Sequence, residues 1–208
     1  MLIAMLITFD LGGVLVRICR NWQEGCLAAD VEIRAFEETD DHLARRNALI
    51  NSAHVGDIRT DAFIRGMHEV FERTWNEDEI RRVHDAWVTG PYADTLTLIE
   101  DIHAAGHATA CLSNTDESHW ESLIRNETIA ALEHRHASHL LGLRKPNPEI
   151  WTAFEELVKR PAEDIVFFDD LTENVTSARV AGWDVHQIDH ESETVPQIRT
   201  ALQQRGLL

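Results

Sequence analysis

The chain has little that would staple it, anchor it in a membrane or hold it to nucleic acid. Its 208 residues include three cysteines, Cys19, Cys26 and Cys111. An odd number without CxxC spacing excludes a fully paired framework and the usual redox and zinc signatures, so a reducing cytoplasm is the expected location. Lysine is nearly missing, Lys145 and Lys159 being the only two. With 36 acidic against 19 basic side chains the formal charge is -17, which repels nucleic acid and anionic membrane surfaces. Met1 to Phe9 is apolar but too short to span a bilayer, and it lacks the basic start and small-residue cleavage site of a signal peptide. It is expected to be a buried strand. There is no internal repeat, low-complexity tract or flexible linker.

What is present is ordinary globular usage, 44% hydrophobic and 26% charged, in a length that suits one domain or one domain with an insertion. Apolar runs at His107 to Leu112, Ala137 to Leu141, Ile165 to Phe168 and Asp184 to Ile188 predict four further strands. Helices are predicted between them. One opens at Pro91 and runs through Leu96, Ile99 and Ile102 to Gly106; a second starts after Asn114, which has capping-box spacing to Glu117. Asn147 and Pro148 open a third, and Thr172 is expected to cap a fourth that stops near Gly182. This alternation predicts an α/β fold with a parallel sheet covered by helices on both faces. Residues Cys19 to Trp87 break it and look helical throughout. Phe63, Met67, Val70 and Phe71 share one helical face there, and Asn76 with Glu79 forms a capping box leading to Ile80, Val83 and Trp87. The expected division is a core of residues 1–17 and 89–208 and an inserted helical cap of residues 18–88.

Ligands of open α/β sheets bind beyond the strands' carboxyl ends, and four segments place chemistry there. Ile7-Thr8-Phe9-Asp10-Leu11-Gly12-Gly13-Val14-Leu15 delivers a carboxylate into a glycine turn that lets backbone approach a ligand. Cys111-Leu112-Ser113-Asn114-Thr115 offers a hydroxyl and a carboxamide at a helix start, where free amides and the dipole favour a phosphate oxygen. Lys145 stands just before another helix. Phe167-Phe168-Asp169-Asp170 ends a hydrophobic strand in two adjacent carboxylates, which repel unless a cation or donors compensate. Read singly, each has a plain structural explanation as a turn, a helix cap or a solvated loop residue.

In this order and separation the four segments resemble the four motifs of the haloacid dehalogenase superfamily, and their wording is close to a branch that includes phosphatases acting on glucose 1-phosphate. The resemblance implies a Rossmann-like fold with a helical cap and a magnesium-dependent hydrolase of a small phosphorylated metabolite. It implies Asp10 as the nucleophile that forms an aspartyl-phosphate, with Asp10, the Gly12 carbonyl and Asp170 holding Mg2+. Ser113, Asn114 and Lys145 would hold the phosphoryl oxygens, and Asp169 would support them. One departure matters: phosphatases of the superfamily usually carry a second aspartate two residues after the nucleophile as general acid and base, and Gly12 stands there. Loss of that acid costs about a hundred- to ten-thousand-fold, so esters with better leaving groups are expected, such as an anomeric sugar phosphate. Gly12 also suits two alternatives, a 2-haloacid dehalogenase and a catalytically weak binding protein. The sequence leaves monomer and homodimer open.

Other features have simpler readings. His134, His136 and His139 alternate as metal ligands on a strand would, but without a nearby cysteine or acidic partner they read as strand and loop histidines. His54 and Asp57, before the helix at Thr60, read as loop residues or as proton donors facing the site. Trp22 and Trp87 read as packing or as a sugar platform, and Cys111 as a small buried hydrophobe.

Overall fold

The computed structural model describes residues 4–208, so the first three residues of the expected initial strand lie outside the described residues. Strand β1 is Leu6–Phe9, buried along its whole length, as a central parallel strand covered on both faces must be. After a turn comes β2, Val16–Ile18, and then four helices: α1 Trp22–Ala28, α2 Asp40–His54, α3 Thr60–Val70 and α4 Glu77–Asp85. The capping box expected at α4 is formed, with Asn76 Oδ1 accepting from the Glu79 N–H and Glu79 Oε2 accepting from the Asn76 N–H, each at 2.9 Å. Strand β3, Val88–Pro91, then returns to pair antiparallel with β2. These two strands were not foreseen. They have three and four residues and are largely half-exposed, too short for a period of two to register.

The rest of the chain alternates. It runs through α5 Thr95–Ala104, β4 Ala108–Ser113, α6 Glu117–Leu123, α7 Glu127–Ala130, β5 His134–Ala137 and α8 Ser138–Leu141. It ends with α9 Pro148–Val158, β6 Ile165–Asp169, α10 Thr172–Val180, β7 Asp184–Gln187 and α11 Thr194–Gln204. Five strands form one parallel sheet in the order β5-β4-β1-β6-β7. Alternate residues of β1 serve opposite faces: Ile7 and Phe9 pack with Leu98, Ile102 and Leu202, whereas Leu6 packs with Ile150, Trp151, Phe154 and Phe167. At about 1.5–3 kcal/mol per fully buried large apolar side chain, these two layers fix the register of β1 and so the height of the residue that follows it. A third cluster, with Ile64, Met67, Phe71, Trp75 and Val83, belongs to the inserted helices.

Several local expectations are corrected. Pro91 closes β3 instead of opening a helix, because the Tyr92 N–H is drawn to the Leu15 carbonyl at 3.0 Å, and α5 starts only at Thr95. The strand expected at Ala137 to Leu141 lies at His134–Ala137; Leu140 is exposed, and Ser138–Leu141 form a helical turn ended by Gly142 at φ 66°. At α6 the cap is Asp116, whose Oδ1 accepts from the N–H groups of Ser118 and His119 at 3.0 and 3.1 Å, not Asn114. Thr172 is the first residue of α10 and caps nothing; Leu171 holds the cap position. Asn147 and Pro148 stand at the cap and first positions of α9 as expected, though the Asn147 side chain makes no capping bond.

Candidate active site

Parallel pairing carries the tips of β4, β1 and β6 to one end of the sheet. Phe9 stands level with Cys111 on one side and Phe168 on the other. The next residue, Asp10, is fixed by donating its N–H to the Phe168 carbonyl at 2.8 Å, beside Asp169 and Asp170. Carboxylate oxygens of Asp10, Asp169 and Asp170 lie within 4.8 Å of one another, and all three residues are buried. The turn allows this crowding because Gly13 has φ 79° and no side chain. A Cβ there would sit 2.5 Å from Asp170 Oδ2.

One ammonium serves two of the three carboxylates. Lys145, fully buried, places Nζ 2.7 Å from Asp169 Oδ2 and 3.0 Å from Asp10 Oδ1. The second contact is an ion pair without hydrogen-bond alignment, so Asp10 Oδ1 is buried with no hydrogen-bond partner. Lys145 reaches this point because Asn114 grips its backbone in both directions: the Lys145 N–H donates to Asn114 Oδ1 at 2.9 Å, and Asn114 Nδ2 donates to the Lys145 carbonyl at 2.8 Å. The Asn114 carboxamide is thus committed to holding the lysine loop, which leaves the backbone amides beside it for the expected phosphate contact. Asp169 is saturated, taking the Leu171 N–H at 2.9 Å and Asn174 Nδ2 at 3.0 Å on each oxygen in addition to Lys145. Asn174 was not singled out from the sequence, although a carboxamide one helical turn into α10 is well placed to reach back to a strand end.

Charge is unbalanced at this centre. Burial pushes Asp10 and Asp169 above the ordinary carboxylate range despite Lys145, and the negative charge of Asp170 beside Asp10 and of Asp10 beside Asp169 adds to it. Burial alone would depress Lys145, but Asp10 and Asp169 outweigh it and hold it protonated. Burial also raises Asp170, against the pull of Arg20, whose Nη1 donates to Asp170 Oδ2 at 2.8 Å. His190 Nδ1 approaches the same oxygen at 3.4 Å. Neither Arg20 nor His190 belongs to the four sequence segments, and nothing in their spacing distinguishes them.

A cavity of about 660 Å³ opens from these strand tips into the inserted helices, with Gly12, Ser113 and Asn114 at one end and Trp22, Phe36 and Trp75 at the other. Three histidines, His54, His84 and His119, lie along its wall. His54 is the last residue of α2, not a loop residue, and burial lowers its pKa to about 4. It is therefore neutral at pH 7 and does not serve as an imidazolium donor there. Asp57 is exposed. His119 Nδ1 lies 3.0 Å from Asp116 Oδ2, and His84 Nε2 lies 2.8 Å from the Ser118 hydroxyl. Burial opposes both charges of this pair, yet the hydrogen bond and charge of Asp116 raise His119, and His119 and His84 hold the Asp116 carboxyl well below the usual range.

The His119 contribution is present below its unfolded pKa of about 6.5 and lost as pH rises through the raised folded value. The Asp116 contribution is present above about 3.9 and lost as pH falls through the depressed value. His119→Gln should therefore cost about 3 kcal/mol at pH 6, as expected for breaking a buried pair, and clearly less at pH 9. Urea unfolding at both pH values checks this; an equal loss at the two contradicts the pairing.

His134 and His136 have ring centroids 6.4 Å apart, and His139 Nδ1 is spent on the Thr115 carbonyl at 3.0 Å, so no metal set forms from them. Burial lifts the Cys111 thiol to about 12, in keeping with a hydrophobe. No helix among the described residues is long and apolar enough to cross a membrane.

Comparison with known proteins agrees with this fold. The chain is similar in structure to a HAD family enzyme from Bacteroides thetaiotaomicron in complex with magnesium and inorganic phosphate, with 20% identity, a TM-score of 0.75, and 91% of this chain and 96% of that one covered. A predicted HAD-like family hydrolase from Porphyromonas gingivalis matches at 18% identity and a TM-score of 0.76, covering 96% and 98%. An L-2-haloacid dehalogenase matches at 20% identity and a TM-score of 0.66, covering 92% and 87%. At such identities these likenesses speak to the fold. The family model for haloacid dehalogenase-like hydrolases matches residues 4–182, which include all four strand-tip segments, and the chain belongs to that family.

Proposed function

We propose that the protein is a magnesium-dependent phosphatase acting on a small phosphorylated metabolite through an aspartyl-phosphate at Asp10, with residues 18–88 as a cap over the site. The observation that carries this reading is the surplus of negative charge: three buried carboxylates face one buried ammonium and the guanidinium of Arg20. A divalent cation is the simplest remedy, and the donors fit Mg2+, since hard carboxylate oxygens are its preferred ligands. Asp10, Asp170 and the Gly12 carbonyl would hold it, and when bound it would offset repulsion between nucleophile and substrate.

The chain's own groups supply the remainder. The Asp10 oxygen attacks phosphorus as the bond to the leaving oxygen breaks, and the electron pair departs with that oxygen. Ser113 and Lys145 hold phosphoryl oxygens while charge redistributes, and Asp169, pinned by Asn174 and Leu171, keeps Lys145 aimed at Asp10. Water then attacks phosphorus, returning the Asp10 carboxylate and releasing phosphate. Position 12 has no acid, so the departing oxygen takes its proton from solvent. Displacement of halide at carbon would need no such acid either, but it gains little from the carboxylate surplus that a metal would offset.

Wild-type protein should release phosphate from phosphomonoesters only with Mg2+, and Asp10→Asn should release none. Halide release from 2-haloacids without Mg2+ would favour the dehalogenase instead. Arg20 bears on the same reading, because its guanidinium now occupies the Asp170 oxygen that the metal would use. Arg20→Met should tighten Mg2+ binding on the order of tenfold by calorimetry, equivalent to about 1.4 kcal/mol. Unchanged or weaker binding would show that Arg20 does not compete.

A further inference from the structure

The cavity in front of Ser113 is larger and more apolar than a phosphoryl group needs. Its volume of about 660 Å³ falls in the range of roughly 300–1,000 Å³ found for small-molecule sites. Its far wall is built of aromatic rings in mutual contact: Trp22 lies 4.3 Å from Phe71 and 5.4 Å from Trp75, and Phe36 lies 5.3 Å from Phe71, centroid to centroid. Across from them Phe63 leans on His84 at 5.1 Å. Ring faces and edges at such spacings favour another ring set edge-on or offset.

The polar groups on the wall restrict the ligand further. Three arginines line the cavity and each already has its counter-anion: Arg20 holds Asp170, Arg34 holds Glu79 at 2.6 and 2.8 Å, and Arg46 holds Glu38. A second phosphate or a carboxylate on the substrate would have to break one of these pairs.

We propose that the substrate is the phosphate ester of an uncharged aromatic alcohol, its ring seated against Trp22 and Phe36. This rests on the phosphatase reading and replaces the sugar phosphate expected from sequence. It also answers the vacancy of an acid at Gly12. When the bond from phosphorus to an aryl oxygen breaks, the electron pair leaves as a phenolate of conjugate-acid pKa about 10, against about 15.7 for a water-like alkoxide. The phenolate departs without a proton and collects one from solvent afterwards, while Asp10 keeps the phosphoryl group until water removes it.

Calorimetry on the Asp10→Asn protein with Mg2+ tests the assignment without turnover. Expected is binding of 2-naphthyl phosphate at least tenfold tighter than that of glucose 1-phosphate or inorganic phosphate. Trp22→Leu and Phe36→Leu, each in the Asp10→Asn background and each checked by thermal melting, should remove that preference and leave inorganic phosphate binding unchanged. Equal binding of the three ligands, or tighter glucose 1-phosphate, overturns the aromatic assignment while leaving a phosphatase. Preference for the naphthyl ester with no phosphate release from it by wild-type protein overturns the phosphatase reading, and the substrate assignment with it.

Discussion

Lys145→Met should lower the stability of the protein by about 3–5 kcal/mol and abolish phosphate release. The size follows from burial: removing one partner of a buried charge pair leaves the other uncompensated, at about that cost, and here two carboxylates lose the same ammonium. A methionine keeps nearly the same length and apolar stem, so the loss would report charge and not a void. Asp10 and Asp169, already raised by burial with Lys145 present, would be driven further toward their neutral forms. A neutral Asp10 is no nucleophile. Urea unfolding with and without Mg2+ separates the terms, since a cation that binds among the acids should restore part of the stability and none of the turnover. A variant as stable as wild type without metal would mean that the three acids do not depend on this lysine.

Gly12→Asp should change which leaving groups the enzyme tolerates. With glycine at position 12, rates across substituted phenyl and alkyl phosphates should fall steeply as the leaving alcohol becomes less acidic. A carboxyl at this position should raise the rates of poor leaving groups by about a hundred- to ten-thousand-fold, the usual worth of a general acid, and scarcely alter the good ones. The fold tolerates the change: a Cβ on Gly12 would meet Ile18 Cδ1 at 3.0 Å, the free end of a flexible side chain, and its backbone is not left-handed. A plot of kcat/KM against leaving-group pKa for both proteins reads the outcome. Parallel lines, with all rates raised alike, would contradict the claim that protonation of the leaving oxygen is what the wild type lacks.

Much of this architecture was legible in the sequence because strong periodic signals coincide with the central strands. β1, β4 and β6 are apolar runs that stop at chemical residues, so their tips could be set together from the parallel-sheet rule alone. β5 was displaced by about one strand length because its residues are His134, Arg135, His136 and Ala137, an edge strand with little apolar content, while the leucines after it drew the expectation forward. The hold of Asn114 on Lys145, thirty-one residues on, is tertiary and has no local trace in the sequence. Arg20 and His190 were invisible for the same reason, since each meets Asp170 only after β1, β6 and β7 have assembled. The nature of the cavity wall was hidden too. Trp22, Phe36, Phe63 and Trp75 come from separate helices and loops, and only their packing shows that they line one space.

The account depends on a covalent bond between phosphorus and Asp10, and rapid acid quenching during turnover with Mg2+, followed by peptide mass spectrometry, looks for it directly. The expected result is one added phosphoryl group on the peptide carrying Asp10, absent in Asp10→Asn and absent without the metal. Phosphate release that proceeds at full rate in Asp10→Asn, or a label found on another residue, would contradict it.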